Sequence, residues 1–457
     1  MRRLGILAFV LLLGLSLAAV ALATTQVELV KDINPNGTDS SAPDQLANLG
    51  GTLFFTANDG SHGYELWKST GTEAGTELVK NITPGGDSSF PQQLTNVGGT
   101  LFFIANDGTG YELWKSDGTR TGTKLVEDIN PGSGSSPGYL TNVGGMLYFQ
   151  ADDGTHGYEL WKSDGTKAGT TLVKNIKPGG DSSSPSHLTN VGGTLFFSAD
   201  DGAHGYELWK SDGTKNGTTL VKNVKPGGDG SSPAYLTNVG GTLFFRADDG
   251  THGEELWKSN GTKDGTKLVK GINSNGSDGS DPEGLTNFGG TLVLNADDGA
   301  HGPELWKSNG TESGTTMVKD INPNGTNGSF PDSFTNVAGT LFFEAYEDTH
   351  GYELWKSNGT EDGTTLVKDI DDNGGDSASP YGFTNVGGSL FFAASDGTHG
   401  DELWKSDGSE DGTTLVQDIN TNGNDGSGPS ELTNVAGTLF FRADDGTHGA
   451  ELWKAFG

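Results

Sequence analysis

Short apolar runs alternate with glycine-, asparagine- and serine-rich breaks from one end of the chain to the other. One full unit reads LTNVGGTLFFSADDGAHGYELWKSDGTKNGTTLVKNV (188–224) and holds four such runs: Leu188–Val191, Thr194–Ala199, Glu207–Lys210 and Thr219–Val224. Each is β-prone in composition and bounded by turn residues. The paired glycines of Asn-Val-Gly-Gly-Thr supply the positive φ of a tight hairpin. Asp-Asp-Gly-Ala-His-Gly makes a second, longer hairpin, and Ser-Asp-Gly-Thr a third turn. No segment sustains a helical period. Each unit is therefore predicted to be a four-stranded antiparallel meander, with strands A, B, C and D. Leu195-Phe196-Phe197 is continuously apolar, so strand B must be covered on both faces. Sheets stacked face to face around an axis give that cover, with the strand C tryptophan as a wedge between neighbours.

The unit recurs nine times. Trp67, Trp114, Trp161, Trp209, Trp257, Trp306, Trp355, Trp404 and Trp453 each stand in Glu-Leu-Trp-Lys, 47 to 49 residues apart. Such a period points to a propeller or a solenoid. A D-type segment (Val27–Ile33) precedes the first full unit, and the last unit stops after its C strand (Glu451–Lys454). Pairing the two completes the ninth sheet and removes the exposed edge. A rod would need polar caps, and none is visible. The expected fold is all-β: residues 24–457 form a single closed propeller of nine four-stranded antiparallel blades. Nine exceeds the usual four to eight; an open superhelical stack or two smaller rings are the alternatives.

Residues 1–23, MRRLGILAFVLLLGLSLAAVALA, carry a basic start, an apolar run and a small-x-small end (Ala21-Leu22-Ala23). They read as a signal peptide cleaved on export, so the mature chain is expected to be secreted or periplasmic with no membrane segment. An uncleaved anchor is the alternative. Among 457 residues, Lys+Arg number 28 against 60 Asp+Glu, a formal net charge of -32. That excess of acid argues against a phosphate-tracking nucleic-acid binder and against docking on anionic lipid. With no cysteine, disulfides, thiolate metal sites and cysteine nucleophiles are excluded.

Glu-Leu-Trp-Lys-Ser-Asp-Gly-Thr stands at 112–119, 159–166 and 207–214, and its Asn variant at 255–262, 304–311 and 353–360. In these residues the chain resembles the bacterial ELWxxDGT repeat family of secreted proteins, over essentially all of the mature sequence. The order of Gly-Gly, Tyr and Trp is also similar to kelch propeller repeats, although the strand C Glu-Leu-Trp departs from them. The resemblance implies a bacterial source, export and a repeat fold, and no reaction.

An Asp closes strand B in every unit, from Asp59 to Asp445 with Asp348 in the seventh, and a Glu opens strand C, from Glu65 to Glu451. One reading is a carboxylate pair for a hard cation such as Ca²⁺ (Asp153 with Glu159, Asp201 with Glu207, Asp249 with Glu255). The other is an Asx-type turn closed by the Asp, with the Glu paired to a nearby lysine. A histidine follows the Asp in eight units; one per blade lies too far from the next to share a zinc. Lys68 and its equivalents are expected on a solvated or carboxylate-paired site. No G-x-S-x-G, H-E-x-x-H or P-loop signature appears.

Variation is informative where the rest repeats. Every linker ends in a proline, and the two positions after it differ by unit, including Tyr139, His187, Tyr235, Tyr381 and Glu431; the residue after the Phe-Phe pair is Arg246 or Arg442 in two units. In a propeller the D–A linkers and B–C hairpins share one face. Tyr139, His187, Tyr235, Tyr381, Arg246 and Arg442 are accordingly the candidate ligand-binding residues. The three tyrosines would serve as platforms for sugars or peptides. The leading functional expectation is a non-catalytic binding, adhesion or scaffold module for an extracellular polysaccharide or surface protein. A secreted carbohydrate-active enzyme with its site at the propeller axis is the alternative.

Overall fold

The computed structural model describes residues 25–274, 278–324, 326–372 and 377–456, so the signal peptide expected at 1–23 lies outside the described residues. Within them the chain forms nine four-stranded antiparallel sheets. Eight are built from consecutive strands. In the fourth blade these are Ser186–Val191, Thr194–Asp200, Tyr206–Ser211 and Thr219–Lys222. Strand D ends two residues earlier than the apolar pattern suggests, because the Val224 N–H leaves the ladder and donates to Glu207 Oε2 at 3.0 Å.

The ninth sheet is composite. Ser430–Val435, Thr438–Asp444 and Ala450–Phe456 take Gln26–Lys31 as their fourth strand. Val27 pairs with Ala455 and Leu29 with Trp453. The A strands adjoin one another in sequence, and the first (Asp44–Leu49) also adjoins the last (Ser430–Val435). The ring is therefore closed, with A strands around the axis and D strands outermost. Neither end leaves a free sheet edge.

The core lies between blades. Leu195, Phe197, Ala199 and Trp209 of blade four pack on Val143, Tyr148, Leu160, Val173 and Ile176 of blade three. Phe197 has no solvent exposure, and burying such a side chain is worth roughly 1.5–3 kcal/mol. The tryptophan is an apolar wedge: the Nε1 groups of all nine find no hydrogen-bond partner among the described residues.

Polar staples tie neighbouring blades together. The strand C lysine, expected on a solvated or carboxylate-paired site, also reaches the next blade: Lys68 Nζ, paired with Glu77 at 3.0 Å, donates to Gly118 O at 2.9 Å, and Lys210 Nζ donates to Gly261 O at 2.8 Å. Asparagines at the A–B hairpins hold the inner ring. Asn190 Oδ1 accepts the Gly193 N–H of its own turn at 2.9 Å, while its Nδ2 donates to Asn142 O of the preceding blade at 3.3 Å.

Candidate functional site

The D–A linkers and B–C hairpins do share a face. Ser89 of the first linker receives a hydrogen bond from Asn106 at the end of the next strand B, and its own N–H donates to Tyr64 O. Two chemistries recur there, and they are separate.

The first is the hairpin cap. Asp153 Oδ1 accepts the N–H groups of Thr155 and His156 at 2.9 Å, and Oδ2 meets His156 Nδ1 at 2.7 Å. Burial opposes ionisation, but the ring contact and the two N–H bonds outweigh it and hold the carboxyl below its ordinary value. Asp201 has the same environment, and Asp249 is lowered to about 2. In blade seven the cap has moved. Strand B extends to Glu347, which pairs with His350, while Asp348 accepts from Asn324 Nδ2 at 2.9 Å. The expected cap at Asp348 is thus replaced by Glu347.

The second is a buried glutamate that pins the following linker. Glu159 accepts the N–H groups of Ile176 and Lys177 at 2.8 and 3.2 Å and the Ser183 hydroxyl at 2.6 Å. Glu207 does the same with Val224, Lys225 and Ser231, and Glu255 with Ile272, Asn273 and Ser280. The partners are backbone and serine, not the lysine expected. Burial pushes these carboxyls up against the pull of those donors, Glu304 and Glu353 to about 7. Among the described residues the Asp and Glu of these units share no hydrogen-bond partner. Among the described residues no group of three or more His, Asp or Glu side chains is placed to hold a metal ion.

The variable positions after each proline sit at the channel mouth in unusual backbone. The second residue past the proline is left-handed in all nine blades: Gln45, Gln93, Tyr139, His187, Tyr235, Gly284, Ser333, Gly382 and Glu431, with φ from 52 to 70°. The residue before each proline is left-handed too, as at Ser136 and Ser184. A non-glycine residue held there costs of order 1–3 kcal/mol, and such strain gathers at functional sites. The conformation breaks the A–B ladder, with a register shift between Gly138 and Thr141.

The nine residues fall into three sectors of three consecutive blades. In blades nine, one and two they bridge to the next blade: Glu431 accepts the Leu46 N–H, Gln45 that of Gln93, and Gln93 that of Leu140. In blades six to eight they are small: Gly284, Ser333 and Gly382. In blades three to five they are aromatic. Tyr139 and Tyr235 are 45% and 38% exposed, and the Tyr139 and His187 rings lie 6.4 Å apart. With Leu188, Thr189, Gly284 and Thr286 they line a cavity of about 410 Å³. Gly284 and Thr286 also border a second cavity of about 470 Å³ that includes Asp332, Ser333 and Gly382.

Arg246 underpins the aromatic sector. Its guanidinium lies 4.9 Å from the Tyr235 ring centroid and 3.0 Å from both Glu254 and Glu283. Burial and this guanidinium together hold His187 below its ordinary value. Burial, with the Glu283 carboxylate, pushes Tyr235 up. The structure thus brings together Tyr139, His187, Tyr235 and Arg246. It does not bring Tyr381 or Arg442 to them. Tyr381 follows its proline directly, one position before the others, and stands half-buried. Its hydroxyl pairs with Asp401, and burial with that carboxylate pushes it up to about 12. Arg442 lines a separate cavity of about 540 Å³ with Asp44, Tyr64 and Phe90, the last two stacked at 5.4 Å. Reading by residue type missed blade seven's Glu344, which faces Asp332 across the A–B ladder. Burial and that neighbouring carboxylate push it up to about 7.

No protein-family model and no curated protein matches the chain. Solved structures similar to it include the computationally designed Ika8 protein, at 14% identity and TM-score 0.43 over 92% of this chain and 97% of that one. The β-propeller domain of the Trilobed protease from Pyrococcus furiosus, described as having an open velcro topology, is 12% identical with TM-score 0.40 over 83% and 98% of the two chains. Puromycin hydrolase is 12% identical with TM-score 0.39, over 80% of this chain and 60% of its own.

Proposed function

We propose that this chain is an exported bacterial binding module that captures an extracellular polysaccharide at the mouth of the propeller channel. What carries the reading is the broken symmetry of the left-handed ring: three consecutive blades place Tyr139, His187 and Tyr235 around one cavity, where the other six place bridging or small side chains. Aromatic faces with nearby threonine hydroxyls suit the apolar faces and edges of pyranose rings, and the small sector leaves room for a chain to run on. The signal-like residues 1–23 and the resemblance to secreted ELWxxDGT repeats support export.

The test is a glycan-array screen of the mature chain, then titration of the best ligand into the Tyr139→Ala/His187→Ala/Tyr235→Ala variant. Loss of at least tenfold in affinity with unchanged melting is the expected result. Undiminished binding overturns the site. A second reading, hydrolysis at the same mouth, rests on Asp332 and Glu344, two paired carboxyls of which one is half-neutral near pH 7. Product release from the bound glycan that is abolished in Glu344→Gln would favour it.

A further inference from the structure

The outer wall of the ring carries a second recurring staple at seven interfaces; the position is Gln417 between blades eight and nine, where Trp453 stays buried, and an acid between blades two and three. Lysines of the D strands reach into the next blade, where each ammonium donates to a threonine carbonyl. Lys80 Nζ lies 2.7 Å from Thr123 O, Lys174 Nζ 2.7 Å from Thr218 O, and Lys222 Nζ 2.7 Å from Thr266 O. The same ammonium groups sit 5.3–5.4 Å from the ring centroids of Trp114, Trp209 and Trp257. A desolvated cation on an indole face is worth up to about 2 kcal/mol.

Between blades two and three the staple position is Glu127. A cavity of about 590 Å³ lies there, lined by Glu127, Ile129, Trp161, Lys167 and Thr170. Trp161 is only half-buried, whereas the other eight tryptophans are 5–7% exposed. Thr170, the equivalent of Thr123 and Thr218, is also less covered than they are, at 7% against 0–1%. Glu127 Oε1 holds Lys167 Nζ at 2.9 Å, but Lys167 stands on the rim with its side chain 82% exposed. Glu127 Oε2 is buried and has no hydrogen-bond partner among the described residues.

The indole face and the threonine carbonyl that elsewhere receive an ammonium are therefore present, open, and joined by a carboxylate with a free buried oxygen. We infer that the Trp161–Glu127 pocket receives a lysine side chain from another polypeptide. The molecule itself shows the pose at interfaces that carry the lysine: ammonium on the carbonyl and over the indole ring. The carboxylate in place of the cis lysine supplies the counter-charge. The pocket lies on the outer wall, away from the channel mouth, so it stands independently of the glycan reading.

The test is an NMR titration of the indole N–H signals, with Trp161 assigned by Trp161→Phe, using Nα-acetyl-L-lysine N-methylamide as the probe. The Trp161 signal is expected to move saturably, with a tighter midpoint in Lys167→Ala. It should stay still in Glu127→Lys, which installs the staple found at seven other interfaces and keeps the fold. The norleucine counterpart, lacking the ammonium, should have no effect. A Trp161 signal that does not move in Lys167→Ala, that moves undiminished in Glu127→Lys, or that answers the norleucine probe equally overturns the proposal.

Discussion

The Tyr235 ring lies over the Arg246 guanidinium, 4.9 Å from ring centroid to guanidinium carbon, and both side chains contact the same neighbour, Glu283 of the next blade. Stacking of this kind contributes about 0.5–2 kcal/mol, here toward holding one platform of the aromatic sector. Arg246→Ala should therefore weaken glycan binding by roughly 3- to 30-fold. Arg246→Lys, which keeps charge but not the planar fork, should recover only part of it. Calorimetric titration of the three proteins decides the matter. Equal affinities would mean that Tyr235 is positioned without Arg246.

Tyr139 and Tyr235 hold φ of 58° and 52°, a conformation that Gly284 and Gly382 adopt at the equivalent positions without a Cβ. Tyr139→Gly should then raise stability, by about 0.5–1 kcal/mol, while lowering ligand affinity. Stability and binding moving in opposite directions is the mark of strain kept for function. Thermal melts paired with titrations measure both. A variant that loses stability and retains binding would show that the ring serves the fold instead.

The strand pattern and ring closure were legible because they rest on periodicity and on the spare D segment before the first unit, which pairs Val27 with Ala455. The hairpin cap at Asp153 was legible for a similar reason, since Asx turns are local. The Glu159 partners were not, because Ser183 and Ile176 lie in the following linker and only the folded blade brings them back. Lys68 was legible in part: it holds the Glu77 carboxylate at 3.0 Å, but its second acceptor is a backbone carbonyl fifty residues away, at Gly118, which no side-chain pattern reports. Tyr381 looked equivalent to Tyr139 by residue type. One residue of offset past the proline turns it to another face, as strand geometry requires.

Glu159 faces only donors: two backbone N–H groups and the Ser183 hydroxyl. Glu159→Gln would aim an amide NH₂ at one of them and leave a buried donor unpaired. The expected loss is about 1–3 kcal/mol at pH 8, read from denaturant unfolding. Because these same bonds occupy the carboxylate, Ca²⁺ addition should leave the wild-type melting midpoint unchanged. A Ca²⁺-dependent rise would revive the cation reading of the Asp153–Glu159 and Asp201–Glu207 pairs.

Stability should peak in mildly acidic solution. Glu304 and Glu353 go from 4.5 to about 7 on folding. Between those values the folded state holds the extra protons, and stability falls as pH rises. His301, His399 and His448 are raised above 6.5 chiefly by their Asp partners, so their contribution is full below that value and fades above it. The turn aspartates act in the opposite sense. Their pKa values lie below 3.8, that of Asp249 at about 2, and their contribution is lost as pH falls through that range. Melting midpoints across this span should rise from pH 2 to a maximum between pH 4 and 5, then decline toward pH 8. A profile that climbs steadily to neutrality would contradict the buried-glutamate account.

Ring closure can be locked. Val27 and Ala455 are direct cross-strand partners, and both pack into the same apolar cluster with Trp453 and Phe441, so their side chains share a face of the ninth sheet. Directly opposed residues hold their Cβ atoms about 4.5–5.5 Å apart, a spacing that modest adjustment brings within reach of a disulfide. The chain has no cysteine, so Val27→Cys/Ala455→Cys can form only this intramolecular bridge. Joining the first strand to the last closes nearly the whole chain into one loop, for which the chain-entropy relation gives more than about 4 kcal/mol. The double variant should oxidise to a compact monomer on non-reducing gels and melt well above its reduced form. An open stack would keep those two residues far apart and give only intermolecular dimers.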